Sequence, residues 1–132
     1  MTLLLDTHAV VWWLTSDRRL GRVARAAIGS SGTQPWVSVA SVWEAAIKSA
    51  AGRLRLPKPT DELLSDAVLH EAGFQAMEIR AKHALSAAAL PRHHADPFDR
   101  LLIAQAQIED LTIVTSDPAF DDYDVRILDA RA

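Results

Sequence analysis

Short apolar runs alternate with amphipathic stretches along most of the chain. Residues 3–5 and 111–115 have the length and residue types of buried β-strands. Residues 97–109 carry apolar side chains at helical spacing and begin with a proline, which favours a helix start. Further strands are predicted at 36–39, 74–79 and 125–128, and further helices at 7–14, 18–28, 41–51, 60–70 and 81–90. Strands alternating with helices predict a mostly parallel sheet covered on both faces, a three-layer α/β/α sandwich.

Length and composition fit one globular domain over residues 1–132. Hydrophobic residues make up 49% and charged residues 23%, which argues against disorder. A net charge of −3 gives no strongly basic surface that would by itself indicate nucleic acid. The absence of cysteine excludes a disulfide framework, a cysteine-based zinc site and a thiol nucleophile.

The hydrophobic segments predict neither a signal peptide nor a membrane span. The chain reaches Asp6 after five residues without a basic region. The uncharged stretch over residues 28–43 contains glycines, serines and a proline at 29–35 that are typical of a loop. We therefore expect a cytoplasmic protein that does not cross a bilayer.

Acidic residues recur where predicted strands end or where the following helices begin. Asp6 directly follows the first strand, and Asp117 follows the 111–115 strand by two residues. Glu44 and Asp99 fall in the first turns of the helices predicted at 41–51 and 97–109. Ligands of open parallel sheets bind beyond the carboxyl ends of the strands, so we expect these four acids to converge there.

Helix capping is the alternative explanation for each acid taken alone. Asp and Ser accept hydrogen bonds from free N–H groups at helix starts, and an acid in the first turn complements the helix dipole. The chain matches this pattern with N-caps at Asp6, Asp96 and Asp117 and a capping box formed by Ser41 and Glu44. Capping alone does not require so many acids at one edge of the sheet.

A cluster of carboxylates needs protons or a cation. Two such charges about 4 Å apart repel by roughly 4 kcal/mol at an effective dielectric constant near 20. Helix N-termini favour the ionised form, and oxygen ligands without cysteine suit Mg²⁺ or Mn²⁺. Such an ion activates water and neutralises charge on a phosphodiester.

Four segments of the chain contain the four acids together with their neighbours. The segments are Leu4-Leu5-Asp6-Thr7-His8, Ser38-Val39-Ala40-Ser41-Val42-Trp43-Glu44, Asp96-Pro97-Phe98-Asp99-Arg100-Leu101-Leu102-Ile103-Ala104-Gln105-Ala106 and Val114-Thr115-Ser116-Asp117. Their order and spacing span residue 3 to about 128, and the third segment is the most specific. Together they resemble the PIN-domain ribonucleases, and in particular the VapC toxins of bacterial type II toxin–antitoxin pairs.

The resemblance implies a Mg²⁺- or Mn²⁺-dependent endoribonuclease with a PIN fold and a four-acid site. Asp6 and Asp99 would be the principal metal ligands, while Glu44 and Asp117 would complete the shell or orient the attacking water. The family also implies an RNA substrate of the tRNA or rRNA class, a homodimer, and inhibition by a small VapB-like antitoxin. Asp96 is an accessory candidate whose better interpretation is an N-cap.

For several other residues, the sequence is consistent with more than one role. His8, His93 and His94 lie near the predicted acids without a zinc-like spacing. Phosphate contact is the alternative for the 93–94 pair, together with Arg92 and Arg100. Basic clusters at 18–25 and 53–58 are either solvated surfaces or contacts to RNA or a partner. Tryptophans 12, 13 and 43 are candidates for core, interface or base stacking.

Two other classes of function compete with the nuclease hypothesis. A catalytically silent RNA- or protein-binding module on the same fold would bind without cleaving, although the four acids weigh against it. A phosphotransfer enzyme of doubly wound type is disfavoured, because His8 stands where an aspartate-nucleophile phosphatase needs its second acid. Dinucleotide and P-loop glycine motifs do not occur in the chain.

Overall fold

The computed structural model describes residues 1–30 and 32–132. The loop predicted after the second helix includes Ser31, which lies outside the described residues. Strands and helices alternate as predicted. The strands are β1 (Leu3–Leu5), β2 (Trp36–Ser38), β3 (Gln75–Met77), β4 (Thr112–Thr115) and β5 (Arg126–Asp129). The helices are α1 (Thr7–Leu14), α2 (Arg22–Ile28), α3 (Val39–Ala50), α4 (Thr60–Leu63), α5 (Asp66–Glu71), α6 (Ala81–Ala89) and α7 (Pro97–Glu109), with a 3₁₀ turn at Pro118–Asp122.

Within the described residues the strands form one sheet in the order β3-β2-β1-β4-β5, and every neighbouring pair is parallel. β1 lies at the centre, where Leu4 is in register with Trp36 of β2 and Ile113 of β4. The carboxyl ends of β1, β2 and β4 therefore meet at one edge. This arrangement confirms the predicted three-layer α/β/α fold.

Helices cover both faces of the sheet because the central strand is apolar on both sides. Leu3 and Leu5 enter one core, which includes Val10 of α1. Leu4 enters the other core, which includes Ile103 of α7. The alternation of side chains along a strand accounts for this division. Burial of apolar side chains on both faces stabilises the sheet, and the acids lie at one edge of this sheet.

The predicted capping box at the start of α3 is wrong. α3 begins at Val39, directly after β2, and its N-cap is Ser38, whose hydroxyl accepts a hydrogen bond from Ala40 N at 3.1 Å. Glu44 consequently lies in the second turn of α3 rather than the first. The Ser41 hydroxyl is buried and has no hydrogen-bond partner within residues 1–30 and 32–132.

Other boundaries differ where polar side chains terminate an element locally. The helix predicted at 18–28 begins only at Arg22, because the Asp17 carboxylate accepts a hydrogen bond from Arg19 N and closes a turn first. The helix predicted at 60–70 is two helices, since Ser65 caps a new one. The strands predicted at 74–79 and 36–39 are shorter, and the strand predicted at 125–128 lies one residue later.

No helix within the described part of the chain is long and apolar enough to cross a membrane.

Candidate active site

Asp6 lies at the carboxyl end of β1 and caps α1. Its Oδ1 accepts a hydrogen bond from Ala9 N at 2.8 Å, and its Oδ2 accepts one from Thr115 Oγ1 at 2.5 Å. Burial raises the pKa of Asp6, and the nearby Glu44 adds to this effect. The two hydrogen bonds and the proximity of His8 act in the opposite direction. Asp6 is thus an N-cap, as one interpretation predicted, and also a buried acid at the expected edge.

Glu44 is buried on α3, and both of its carboxylate oxygens have partners. The Thr7 hydroxyl donates a hydrogen bond to Oε1, and Lys48 Nζ lies 3.0 Å from Oε2. Thr7 belongs to α1, whereas Lys48 is one turn further along α3. These contacts fix the position of Glu44 relative to the first strand and its helix.

Asp99 lies in the first turn of α7, where its side chain is 13% exposed. Burial raises the pKa of Asp99 to about 7, and the charges of Asp96 and Glu44 contribute to the increase. A hydrogen bond with His94, whose Nε2 lies 2.7 Å from Asp99 Oδ2, opposes it. The same contact raises the pKa of His94. The ionised form of Asp99, like that of the buried Asp6, is therefore stabilised by a compensating positive charge.

Asp96 and Asp117 cap the elements that follow them, as the sequence predicted. Asp96 Oδ1 accepts hydrogen bonds from Phe98 N at 2.9 Å and Asp99 N at 3.3 Å. Asp117 Oδ1 accepts one from Ala119 N at 2.9 Å, at the start of the 3₁₀ turn. Asp117 is exposed, in contrast to Asp6 and Glu44.

Among the described residues, two overlapping groups of side chains bring potential metal-ligating atoms together. In each group these atoms lie within 4.8 Å of one another. Asp99 belongs to both groups, which are Glu44–Asp96–Asp99 and His94–Asp99–Asp117. The structure thus joins three of the four predicted acids around Asp99. Asp6 lies outside both groups and is linked to the site through Thr115 and through its electrostatic interaction with Glu44.

The donor set fits a divalent cation. Carboxylate oxygens at this spacing are suitable ligands for Mg²⁺ or Mn²⁺. A bound cation would also offset the cost of ionising the buried Asp99, whose pKa burial displaces to about 7. Within residues 1–30 and 32–132, no salt bridge involves Asp6.

The segment between α6 and α7 is fixed by one arginine and one tyrosine. The Arg100 guanidinium donates to the carbonyl oxygens of Ala87 at 2.7 Å and Leu90 at 2.9 Å, and to others nearby. The Tyr123 hydroxyl donates to Pro91 O at 2.7 Å. Arg100 is thus engaged with backbone carbonyls, which disfavours the phosphate contact suggested from sequence.

Sequence reasoning assigned no role to Thr7, Lys48, Thr115 or Tyr123. Thr7 and Thr115 adjoin recognised acids in the chain, but their partners are 37 and 109 residues away. In the sequence, only the position of a hydroxyl side chain next to an acidic motif could have indicated a role for Thr7 and Thr115. Lys48 lies four residues after Glu44, a spacing that predicts an ion pair on a helix.

The three tryptophans of interest have different environments. Trp12 is buried in the core, and Trp13 packs against Phe74 at a ring distance of 6.1 Å. Trp43 is 57% exposed and contacts Phe98 edge-on at 5.2 Å. Trp43 alone of these three is available at the surface next to the acids.

The four predicted acids line none of the clefts of about 520 to 660 Å³ found among the described residues. One of these clefts, of about 520 Å³, is lined by Trp36, Lys82, His83 and Glu109. A smaller cleft of about 310 Å³, lined by Arg92, His94 and Arg100, borders the acidic cluster. We place the candidate site at the acids because ligand geometry and burial converge there.

The fold and the acidic edge define a known class of protein. Residues 3–126 match the PIN domain model, and the chain therefore belongs to the PIN domain family. It is 32% identical over 117 residues to Ribonuclease VapC22 from Mycobacterium tuberculosis (strain ATCC 25618 / H37Rv), an alignment that covers 88% of this chain and 87% of that relative.

Solved structures with the same fold include toxin–antitoxin complexes. The VapBC2 structure from Rickettsia felis, bound to a DNA fragment from the promoter, has a TM-score of 0.70 at 14% identity and covers 97% of this chain and 98% of that one. DNA-bound VapBC from Salmonella typhimurium has a TM-score of 0.66 at 18% identity and covers 98% of each chain. At these identities the similarity establishes the fold.

Proposed function

We propose that this chain is a Mg²⁺- or Mn²⁺-dependent endoribonuclease and the toxin of a VapBC-type toxin–antitoxin pair in the cytoplasm. The observation that carries the proposal is the convergence of two ligand groups on Asp99 at the acidic edge of a PIN fold. The curated relative, a ribonuclease by name, supports the same activity. The proposed substrate is a specific cellular RNA of the tRNA or rRNA class.

Asp6 and Asp99 are the proposed principal metal ligands, with Glu44 and Asp117 completing the shell directly or through water. When bound, the ion supplies an activated water and neutralises charge on the scissile phosphate. The burial of Asp6 and Asp99 supports this assignment, because an ionised buried carboxylate is stabilised by a nearby cation.

The remaining contacts hold the acids in position. Thr7 and Lys48 restrain both oxygens of Glu44, so this side chain acts from a fixed place. Asp117 is the exposed member of the four, and we assign it to the metal shell, either as a direct ligand or through the attacking water. Its capping contact with Ala119 uses one carboxylate oxygen, which leaves the other for this role.

The cationic cleft beside the site suits a phosphodiester backbone. Arg92 is exposed there, next to His94, whereas the Arg100 guanidinium is already bound to carbonyl oxygens. Exposed basic side chains at 53, 55 and 58 provide a second candidate contact with RNA. RNA binding through phosphates should weaken steeply with rising salt.

A second copy of the chain and an antitoxin are the proposed protein partners. Val39, Trp43 and Ile47 are exposed and form an apolar stripe one turn apart on α3. Such a stripe is typical of a protein interface, and we assign it to a homodimer. The toxin–antitoxin complexes among the solved structures support a VapB-like antitoxin as the other partner.

Cleavage of total cellular RNA by the purified protein tests the proposed activity. We expect discrete fragments with Mg²⁺ or Mn²⁺, none with EDTA, and none from the Asp99→Asn variant. Asp124→Asn is the matched control, because it removes an exposed carboxylate away from the cluster and should retain activity. Equal cleavage by wild type and Asp99→Asn would contradict the proposal. Metal-independent RNA retention without cleavage would instead indicate a silent binding module.

A further inference from the structure

His94 is the one nitrogen donor in the metal-ligand groups found within residues 1–30 and 32–132. Its Nε2 lies 2.7 Å from Asp99 Oδ2, and one of its ring nitrogens lies within 4.8 Å of ligand atoms of both Asp99 and Asp117. The imidazole is 23% exposed, so it is partly accessible to solvent. A mixed nitrogen and oxygen donor set therefore exists at the acidic edge.

The backbone of His94 is fixed on both sides of the residue. His94 N donates a hydrogen bond to the Tyr123 hydroxyl at 2.9 Å, and Arg100 Nη1 donates to His94 O at 3.2 Å. Asp96, two residues further on, is held as the N-cap of α7. These hydrogen bonds hold the backbone of His94 in place, so its imidazole ring is positioned next to Asp99.

An ion pair between His94 and Asp99 does not by itself explain why Asp117 also lies close to both residues. A pair between partly exposed charges contributes only about 0–1 kcal/mol and requires no further carboxylate. Asp117 follows β4, far from His94 and Asp99 in the chain, yet its ligand atom lies within 4.8 Å of theirs. Three donor atoms this close together, one of them an imidazole nitrogen, form a donor set that suits a transition-metal ion.

Imidazole changes which ion such a site prefers. Mg²⁺ strongly prefers oxygen ligands in octahedral geometry, whereas first-row transition ions accept imidazole nitrogen readily. We propose that His94 joins Asp99 and Asp117 as a metal ligand and thereby gives this site a preference for Mn²⁺ over Mg²⁺. This inference rests on the proposed metal-dependent function and specifies its ion.

Binding of the two metals to a His94→Gln variant tests the inference without reference to catalysis. Glutamine can still donate a hydrogen bond to Asp99, so a residue that only positions this carboxylate would be replaced, while the imidazole nitrogen is lost. His93→Gln is the matched control, because His93 is the adjacent histidine and packs against Tyr123 instead. Affinities for Mn²⁺ and Mg²⁺ are measured by calorimetry on the full chain free of antitoxin.

We expect His94→Gln to lower Mn²⁺ affinity by at least about tenfold with little change for Mg²⁺, while His93→Gln changes neither. Pulsed electron paramagnetic resonance of the Mn²⁺-loaded protein should show coupling to nitrogen in wild type and His93→Gln but not in His94→Gln. An unchanged ratio of affinities with no nitrogen coupling would overturn the inference. If the wild-type protein binds neither Mn²⁺ nor Mg²⁺, this result would instead contradict the proposed metal-dependent function itself.

Discussion

Substituting Asp99 by asparagine should stabilise the metal-free protein at alkaline pH while removing its response to metal. Burial raises the pKa of Asp99 from 3.8 to about 7. Each pKa unit corresponds to about 1.4 kcal/mol, so the ionised side chain costs the metal-free fold at most about 4 kcal/mol. Asparagine has the same shape, carries no charge and can still accept the hydrogen bond from His94.

The direction of the pH dependence follows from proton binding. Between about pH 4 and pH 7, folded Asp99 holds a proton that the unfolded chain has released, so the free energy of unfolding falls as the pH rises. The raised pKa of His94 acts in the same direction, since its stabilising contact is lost as the pH rises through that value. Asp6 also has a raised pKa and remains in the variant, so we expect a reduced slope rather than none.

Urea unfolding from pH 5 to pH 8 in EDTA, repeated with Mg²⁺, measures these effects. The free energy of unfolding of the wild type should fall by about 2–4 kcal/mol between pH 5 and pH 8. Saturating Mg²⁺ should raise it again by about 2–3 kcal/mol at pH 8. The free energy of unfolding of Asp99→Asn should fall less over this pH range and should not change when Mg²⁺ is added. The exposed-site control Asp124→Asn should behave like the wild type. An Asp99→Asn variant that is less stable than wild type at pH 8, with the same dependence of the free energy of unfolding on pH, would show that ionised Asp99 does not destabilise the metal-free fold.

Three further substitutions test the packing at Gly21, the hydrogen bonds of Arg100 and the proposed dimer interface. Gly21→Ala should lower the free energy of unfolding by about 1–3 kcal/mol, because the added Cβ would lie 1.9 Å from the backbone oxygen of Ala132; an unchanged urea midpoint would contradict this. Arg100→Lys should cost about 1–3 kcal/mol in the same assay, since one ammonium cannot serve the carbonyls that the guanidinium satisfies, and wild-type stability would argue against that role. Trp43→Glu should convert the proposed dimer to a monomer in light scattering, and a persistent dimer would place the interface elsewhere.

The two helices that begin after an aspartate N-cap were predictable to the residue. α1 and α7 begin where Asp6 and Asp96 provide their N-caps, and Pro97 marks the first helical position of α7. Residues Val39 and Ala40 were harder, because a β-branched residue after a strand suggests that the strand continues. The Ser38 cap on α3 overrides that preference.

The candidate site was predictable in composition but only partly in geometry. The rule that ligands bind beyond the carboxyl ends of parallel strands brought Glu44, Asp99 and Asp117 to one edge, and the structure joins them around Asp99. The contact between Thr115 and Asp6 spans 109 residues and leaves no local pattern in the sequence. The placement of His94 depends on hydrogen bonds from Arg100 and Tyr123 to loop carbonyls, which no spacing rule specifies.

We propose that the carboxylates around Asp99 hold a divalent ion. Anomalous diffraction from crystals grown with Mn²⁺ tests it most directly, because it locates the ion independently of activity. We expect an anomalous peak about 2.0–2.3 Å from an Asp99 oxygen, with further ligands from the acidic edge, and no such peak in Asp99→Asn. A Mn²⁺ peak bound elsewhere, with the acidic edge empty at saturating metal, would contradict it.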